Sequence, residues 1–336
     1  MIITSERKFG VEIEFAVPTQ QLLRRVSNSL RIVGDGSLRH ISNSGEFVSD
    51  ILQGKNGESS IARACEILKK HNATCEDPSM SVHVHHDGMV SEGILKRSET
   101  EPEDKSGKRI IAVSNKVMRT IDESSIVAVL AGVSGLFSSL SASTYDSVRY
   151  YSLGILSAKP DKNFIYFWID KESRFKWLRN VFYFYTKYSE VMEHIVSNSR
   201  KFGNMYCIPL AKSYELSEIE GCTNMEELRT LWYRGHESGE HYDDSRYHDV
   251  NLHSFWNRHG TVEIRSHGGT VDPHKILLWV KLHQKILDKL ESMELEEVKA
   301  ISGKDIYRDF IDFVEEPILQ SYVKRLLGFY SNINIK

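Results

Sequence analysis

The stretch FGVEIEF, residues 9–15, sets two carboxylates, Glu12 and Glu14, into an otherwise apolar run. Side chains at positions i and i+2 of a β-strand point to the same face of the sheet. Both glutamates would therefore lie on one face, and Val11 and Ile13 on the other. The stretch predicts a strand with one buried face and one charged face.

The same spacing of two recurs in two other apolar segments, VHVHHD and GTVEIRSH. The three polar pairs are Glu12 and Glu14, His83 and His85, and Glu263 and Arg265. Val84 and Ile264 stand between the polar members and would point to the opposite face. If the three strands are neighbours in one sheet, a single charged face gathers glutamates, two imidazoles and a guanidinium.

Carboxylates that lie close together repel one another unless cations neutralise them. A divalent metal ion is the natural partner of such a face. Oxygen ligands outnumber imidazoles here, and this favours Mg²⁺ or Mn²⁺ over zinc. Metal ions beside an arginine form a site suited to polyphosphate, because the metal bridges phosphate oxygens and the guanidinium binds them in pairs.

Simpler interpretations exist for each pair. An isolated Glu-x-Glu or Glu-x-Arg is commonly a solvated strand face or an ordinary ion pair. The segment HVHHDG, residues 83–88, also partly matches the ligand pattern of metallo-β-lactamase-like hydrolases, although Gly88 stands where that pattern has histidine. A metal-dependent hydrolase using His83 and His85 is therefore one alternative. A non-catalytic nucleotide-binding protein is another.

The composition narrows the class of protein. A net charge of -3 over 336 residues lacks the excess of basic residues needed for general nucleic-acid binding. Neither a membrane-spanning run nor a leader pattern is evident, so a cytoplasmic protein without a membrane partner is expected. The four cysteines are scattered and predict reduced thiols. The oligomeric state stays open.

Periodicity and turn residues predict an α+β fold, in which short spacings favour antiparallel pairing. Strands are expected at 45–52, 80–87 and 203–210, with a hairpin formed by 247–255 and 260–267 over the turn WNRHG. Helices are expected at 19–30, 58–71, 121–140, 173–199, 224–234 and 272–290, followed by two more. Asp272 and Pro273 are typical of a helix start.

Longer motifs resemble those of the amidoligases, relatives of glutamine synthetase and glutamate–cysteine ligase. The supporting segments are FGVEIEF, GDGSL, GEFVSDIL, VHVHHD, SRKFGNMYC and the long stretch at 247–280. They follow the family's order from residue 9 to about 290. The resemblance implies a curved antiparallel sheet with helices packed on its outer face, a glutamine synthetase-like catalytic fold.

The resemblance also implies roles for individual residues. The implied metal ligands are Glu12, Glu14, Glu46, His83 and Glu263, and the implied cofactor-binding residues are His85, Arg200, Asn204 and Arg265. Glu263 and Arg265 would be catalytic, because they hold the metal that bridges phosphates and clamp the transferring phosphoryl group. Asp35 and Asn251 fall in family-like motifs without a defined role.

The implied reaction is ATP-dependent joining of a carboxylate and an amine through an acyl phosphate, with Mg²⁺ or Mn²⁺. Substrates could be small molecules, peptides or modified nucleotides, and the general base is unassigned. A catalytic domain would span 1–300, with 88–175 as a divergent or inserted region. Residues 301–336 would form a helical extension packed on the same domain. The histidine-rich segment 235–248 is expected to form a loop beside the site.

Overall fold

The computed structural model describes residues 5, 7–88, 95–98, 110–114, 164–169, 171–201, 203–236, 243–257, 260–303, 305–333 and 335. The chain divides into two compact units, one formed by Met1–Gly88 with Trp177–Lys336 and the other by Met89–Lys176. The predicted helix at 121–140 and the polar stretch at 100–108 lie outside the described residues.

A six-stranded antiparallel sheet is the centre of the first unit. Its strands are β1 (Phe9–Ala16), β2 (Ile32–Val33), β3 (Ser44–Val48), β4 (Ser81–Asp87), β8 (Val250–Asn251) and β9 (Thr261–Gly268). Their order across the sheet is β2-β3-β1-β4-β9-β8, so β2 and β8 form open edges. Strands far apart in the chain, β4 and β9, are direct neighbours.

Helices precede, separate and follow these strands along the chain. Their bounds are α1 (Gln20–Ser27), α2 (Gly54–Lys70), α3 (Lys171–Lys187), α4 (Ser189–His194), α5 (Leu216–Gly221), α6 (Met225–Trp232), α7 (His253–Asn257), α8 (Pro273–Glu291), α9 (Leu295–Ala300), α10 (Ile306–Val314) and α11 (Pro317–Ser331). None of the helices in these described segments has both the length and the apolar composition needed to cross a membrane.

The apolar face of the sheet forms the core together with α8. Val11, Val84 and Ile264 are 0–1% exposed. Helix α8 is buried along most of its length, and it contacts β4 and α2. Its start follows the predicted chemistry, because the Asp272 side chain accepts a hydrogen bond from His274 N–H and Pro273 occupies the first turn.

The second unit contains β5 (Leu95–Ser98), β6 (Ile110–Ser114) and β7 (Phe164–Ile169). They form a separate antiparallel sheet in the order β5-β7-β6. The sequence predicted irregular structure over 91–118, so these strands were missed. The mixed α+β class with antiparallel sheets is confirmed, and the likeness to the glutamine synthetase fold stays a prediction.

Two predicted elements are interrupted in the structure. The helix expected over 173–199 ends at Lys187, and α4 follows after Tyr188, a fully buried residue whose ring packs on Phe184 at 4.6 Å. The hairpin loop holds helix α7 instead of a simple turn. The side chain of Asn251 accepts a hydrogen bond from His253 N–H (2.8 Å), which ends β8 and starts this helix.

The strand predicted at 203–210 is wrong. Asn204 folds this segment into turns, because its amide group donates to Ser199 O (2.6 Å) and accepts from Tyr206 N–H (2.8 Å). Such local bonds compete with a strand ladder. Gly203 adds a left-handed conformation with φ 88°. Only Ile208 makes an isolated bridge, to His248.

The C-terminal part holds one more helix than predicted, because α9 precedes α10 and α11. A glutamate capping box, in which Glu294 and Glu297 bond each other's backbone, starts this short helix. The last two helices contact α8 and thereby belong to the first unit.

Candidate functional site

The register of the central sheet places the polar side chains opposite one another. The facing pairs are Glu14 with Glu46, Glu12 with His83, His85 with Glu263, and Asn251 with Glu263. Side chains in facing positions have Cβ atoms about 5 Å apart. The predicted gathering of the three polar pairs on one face of one sheet is thereby confirmed. The roles of the individual residues remain predictions.

Two glutamates and two histidines form the middle of this row, which we call the central cluster (Glu12, His83, His85 and Glu263). His83 Nδ1 lies 3.2 Å from Glu12 Oε2 and 3.6 Å from Glu263 Oε1. His85 Nε2 lies 3.4 Å from Glu12 Oε1 and 3.9 Å from Glu263 Oε1. Each imidazole therefore directs one nitrogen towards both carboxylates.

Three carboxylates form a second group beside it, which we call the acidic cluster (Glu14, Asp35 and Glu46). One oxygen of each lies within 4.8 Å of the others. Asp35 reaches this position because its side chain caps a short 3-10 helix at Gly36–Leu38, where it accepts from Ser37 N–H at 2.9 Å. The sequence placed Asp35 in a family-like motif without assigning it a role.

The two clusters differ in charge balance. In the central cluster, burial would raise the pKa of Glu12, but His85 and His83 outweigh burial and hold that pKa well below its usual range. Burial likewise opposes ionisation of Glu263, yet Arg265 and the two imidazoles lower its pKa to about 2. Both carboxylates are ionised at neutral pH.

Ionisation of the two glutamates is penalised in the acidic cluster. Burial raises the pKa of Glu46, and the charges of Glu12, Asp35, Glu14 and Glu263 raise it further, to about 9. Burial also raises the pKa of Glu14 more than His83 lowers it. Burial also opposes ionisation of Asp35, but its hydrogen bonds with Glu14 and Ser37 lower its pKa. Glu14 and Glu46 are therefore the members of this cluster that favour a proton or a bound cation.

The donor sets fit divalent cations. Three groups bring ligand atoms within 4.8 Å of one another: Glu12, Glu46 and His83; Glu12, His85 and Glu263; and Glu14, Asp35 and Glu46. Glutamate and aspartate oxygens predominate, with at most one imidazole in each group, a combination that suits Mg²⁺ or Mn²⁺. Glu12 and Glu46 each belong to two groups, so neighbouring ions would share them.

Arg265 is held by its neighbour on the same face. Its Nη1 donates to Glu263 Oε1 at 2.7 Å, and its buried Nε has no hydrogen-bond partner within the described part of the chain. Glu263 Oε2 accepts from Asn251 Nδ2 at 2.6 Å. Asn251 thus positions Glu263, and Arg265 retains hydrogen-bonding capacity inside the site.

Arg200 and Asn204 were predicted to bind the nucleotide. Arg200 is buried, and its Nη2 donates to the carbonyl groups of Ser79 (2.5 Å) and Met80 (2.6 Å), immediately before β4. Its charge acts on Glu14, which places it beside the acidic cluster. Asn204 is occupied by the turn described above. Their predicted contacts with a nucleotide stay predictions.

Sequence reasoning overlooked two hydroxyl groups that contact the histidines. Ser81 Oγ lies 2.8 Å from His83 Nε2, and Thr261 Oγ1 lies 3.0 Å from His85 Nδ1. Ser81 precedes His83 by two positions in β4, so the same-face spacing could have identified it.

The histidine-rich segment at 235–248 is only partly described, because 237–242 lie outside the described residues. Its final part forms a 3-10 helix, Asp244–Tyr247, followed by His248. The His248 ring packs 5.1 Å from the Trp232 ring, and its Nδ1 bonds to Ser245 O. His248 therefore has a structural environment apart from the three candidate ligand groups above.

Comparison with protein families matches residues 171–287 to a family described as "Putative amidoligase enzyme". Searches of curated proteins and of solved structures gave no match. The resemblance to amidoligases is confirmed over the matched residues, and it indicates a ligase-type enzyme. This range includes Asn251, Glu263 and Arg265, whereas Glu12 and His83 precede it and reach Glu263 only through the sheet.

Proposed function

We propose that this protein is an ATP-dependent carboxylate–amine ligase that forms an amide bond through an acyl phosphate. The observation that carries the proposal is the row of carboxylates and imidazoles ending at Arg265, in a chain that matches the amidoligase family. Glu263 and Arg265 lie in the matched range, and the N-terminal strands complete the same face with Glu12 and His83.

The residues have two roles in this proposal: the carboxylates and imidazoles would bind metal ions, and the guanidinium would bind the phosphoryl group. Glu12, Glu14, Glu46, His83 and Glu263 would hold Mg²⁺ or Mn²⁺, with Asp35 and His85 as additional ligands in the groups described above. Bound divalent ions neutralise the phosphate charges of ATP and orient its γ-phosphate. Arg265, fixed on Glu263, directs its guanidinium to the phosphoryl group and stabilises the negative charge that it carries during transfer.

The chemical steps need no nucleophilic side chain. An oxygen of the substrate carboxylate attacks the γ-phosphorus, the bond to the bridging oxygen breaks, and ADP leaves. The amine nitrogen then attacks the carbonyl carbon of the acyl phosphate, and inorganic phosphate leaves as the amine loses a proton. The protein contributes position and charge complementarity on one rigid sheet.

Positional isotope exchange in ATP tests this mechanism, because reversible acyl phosphate formation scrambles the β,γ-bridging oxygen without any amine. The purified chain would be assayed with Mg²⁺, labelled ATP and a panel of amino acids and short peptides. We expect exchange that requires a carboxylate and is lost in Glu263→Gln and Arg265→Ala. The exposed Glu66→Gln variant, on α2, is the matched control.

Calorimetry with ATP and Mg²⁺ extends the test to substrates outside the panel. The wild-type chain should bind ATP only with the divalent ion, and Glu263→Gln should weaken this binding. Absence of ATP binding by the folded chain would refute the proposal. Binding with hydrolysis of ATP that never depends on a carboxylate would instead favour a nucleotide-binding or hydrolytic protein of the same fold.

A further inference from the structure

The 3-10 helix Asn198–Arg200 connects two strands of the central sheet. The helix contacts β9, and the Arg200 side chain, which is 4% exposed, reaches the residues that precede β4. Its Nη2 donates to Ser79 O at 2.5 Å and to Met80 O at 2.6 Å, and it lies 3.3 Å from Pro78 O. Three consecutive carbonyl groups thus converge on one guanidinium nitrogen.

The end of β9 holds the same carbonyl from another side. Gly269 N–H donates to Met80 O at 3.0 Å. A Cβ atom at Gly269 would lie 2.8 Å from Cys75 Cβ and 3.0 Å from Met80 Cβ, so the close approach needs glycine here. We call this arrangement the β4 clamp (Ser79, Met80, Arg200 and Gly269).

The β4 clamp presents Ser81 to the acidic cluster. Ser81 is the first residue of β4, directly after Met80, and it is 2% exposed. Its backbone N–H donates to Glu14 Oε2 at 2.6 Å, and its hydroxyl lies 2.6 Å from the same oxygen. A carboxyl oxygen accepts such an N–H whether the group is ionised or protonated. The position of the Glu14 carboxyl group therefore depends on the backbone that the clamp fixes.

We infer that Arg200 is a positioning residue, which acts through Met80 and Ser81 to hold Glu14 among the ligand oxygens of the acidic cluster. The inference rests on the proposed function, in which Glu14 binds a metal ion together with Asp35 and Glu46. It gives Arg200 a role other than the nucleotide contact expected from sequence, because backbone carbonyl groups occupy its Nη2.

The β4 clamp also joins the part of the chain that matches the amidoligase family to the strands that precede it. Arg200 and Gly269 lie within the matched residues 171–287, whereas Met80, Ser81 and Glu14 come before them. The N-terminal carboxylate is thus held by residues of the matched segment, although no side chain of that segment needs to contact the metal ion for this purpose.

The first experiment measures hydrogen exchange of the Ser81 amide in the metal-free protein, by ¹H–¹⁵N correlation spectra after transfer to D₂O. Arg200→Met should make this exchange at least about tenfold faster, since that factor corresponds to the loss of one or two hydrogen bonds. Val84, which pairs with both neighbouring strands, should keep its protection and is the internal reference. Unchanged protection of Ser81 in folded Arg200→Met would overturn the inference.

Two further variants test the chemistry of the β4 clamp. A single nitrogen makes the bonds of Arg200, and the lysine ammonium group has three donors, so Arg200→Lys should retain most of the Ser81 protection. The exposed Arg63→Met, on α2, is the matched control. Gly269→Ala leaves Arg200 intact but displaces Met80, and it should therefore accelerate Ser81 exchange as Arg200→Met does.

The second experiment measures Mn²⁺ and ATP binding separately by calorimetry. Loss of a group that orients a metal ligand weakens binding by about 10- to 100-fold, so the Mn²⁺ affinity of Arg200→Met and Gly269→Ala should fall in this range without nucleotide. At saturating Mn²⁺, the ATP affinity of both variants should match wild type. Normal Mn²⁺ affinity with weakened ATP binding in Arg200→Met would assign Arg200 to the nucleotide and overturn the inference.

The two experiments separate this inference from the proposed function, and thermal melting identifies variants that fail to fold. If wild type binds Mn²⁺ and folded Arg200→Met binds it equally well, Arg200 has no positioning role, while the ligase proposal stands. If wild type binds no Mn²⁺, the metal part of the proposed function fails, and the exchange of the Ser81 amide alone decides whether Arg200 holds the start of β4.

Discussion

His85 and His86 are consecutive residues of one strand, yet they occupy opposite chemical environments on the two faces of the central sheet. His85 faces Glu12 and Glu263, and these carboxylates raise its pKa in spite of burial. His86 is fully buried against α8 beside His283, and burial lowers its pKa well below the usual range. Partner charge, and not burial alone, decides which imidazole can be protonated.

The face against α8 is a core that contains neutral polar rings. His86 and His283 have centroids 6.2 Å apart, and Tyr185 OH lies 2.6 Å from His283 Nδ1. Both ring nitrogens of His86 lack a hydrogen-bond partner among the described residues. The opposite face carries the carboxylates and imidazoles of the two clusters. One strand thus contributes to the core on one side and to the candidate site on the other.

Substitution of Glu12 on the charged face should have the greatest consequence for Mn²⁺ binding and ATP turnover. Glu12→Gln preserves shape but removes a charge that two of the three ligand groups share. Mn²⁺ affinity should fall about 100-fold or more, and ATP turnover should be lost with it. Calorimetry and phosphate release would measure both, against the control Glu66→Gln. Near-normal Mn²⁺ binding in Glu12→Gln would show that the shared carboxylate is not a ligand.

Acid should destabilise the core that lies between the central sheet and α8. An imidazole whose folded pKa is depressed stays neutral in the fold but binds a proton when unfolded, so its stabilising contribution is lost as pH falls below about 6.5. His283, with its pKa lowered to about 3, and His86 both behave this way. At pH 5 each should cost about 2 kcal/mol of unfolding free energy relative to pH 7.

His86→Leu tests this expectation, because it removes one titrating ring from the core. Urea unfolding at pH 5 and pH 7 should show a smaller loss of stability on acidification than in wild type, by about 2 kcal/mol. His40→Leu is the control, since the His40 side chain is 58% exposed. An unchanged acid sensitivity in His86→Leu would contradict the assigned environment.

A smaller effect concerns the support of the charged face. Asn251→Ala removes the amide that donates to Glu263 Oε2 and accepts from His253 N–H. Leaving these buried groups unpaired should cost about 1–3 kcal/mol of stability, with about a tenfold loss of Mn²⁺ affinity. Melting and calorimetry on one sample separate the two effects. Lost stability with unaltered Mn²⁺ affinity would restrict Asn251 to a structural role.

A pH-dependent effect distinguishes the two clusters of the charged face. The pKa of Glu46 is raised from 4.5 to about 9 in the fold, so its stabilising contribution is fully present below the unfolded pKa and is lost as pH rises through 9. Glu46→Gln without metal should therefore be more stable than wild type at pH 9. At pH 6 the difference should shrink.

Melting curves in a chelator at pH 6 and pH 9 measure this effect, with the exposed Glu76→Gln as control. Added Mg²⁺ should reverse the order at pH 9, because the ion replaces the proton in wild type and finds fewer ligands in the variant. Equal stability of both proteins at pH 9 would mean that Glu46 is not crowded by its acidic neighbours.

Much of the charged face followed from spacing alone. Glu12 with Glu14, His83 with His85, and Glu263 with Arg265 share a face because strand geometry has a period of two, which no distant residue alters. The start of α8 at Asp272 and Pro273 also followed from a local sequence signal. The strand expected at 203–210 failed because the side chain of Asn204 bonds its own backbone and forms turns, an outcome that periodicity does not encode.

The sequence by itself determined which residues alternate, and hence that each polar pair would face away from its apolar neighbours. Only the tertiary structure decided that β9 lies beside β4. This pairing sets Glu263 opposite His85, although the two residues are 178 positions apart in the chain. It also decided that the pKa of His86 would be lowered by burial and that the pKa of His85 would be raised by the facing carboxylates. Pairing between distant strands and the field at each buried ring depend on the whole fold, because both arise from contacts that no local pattern specifies.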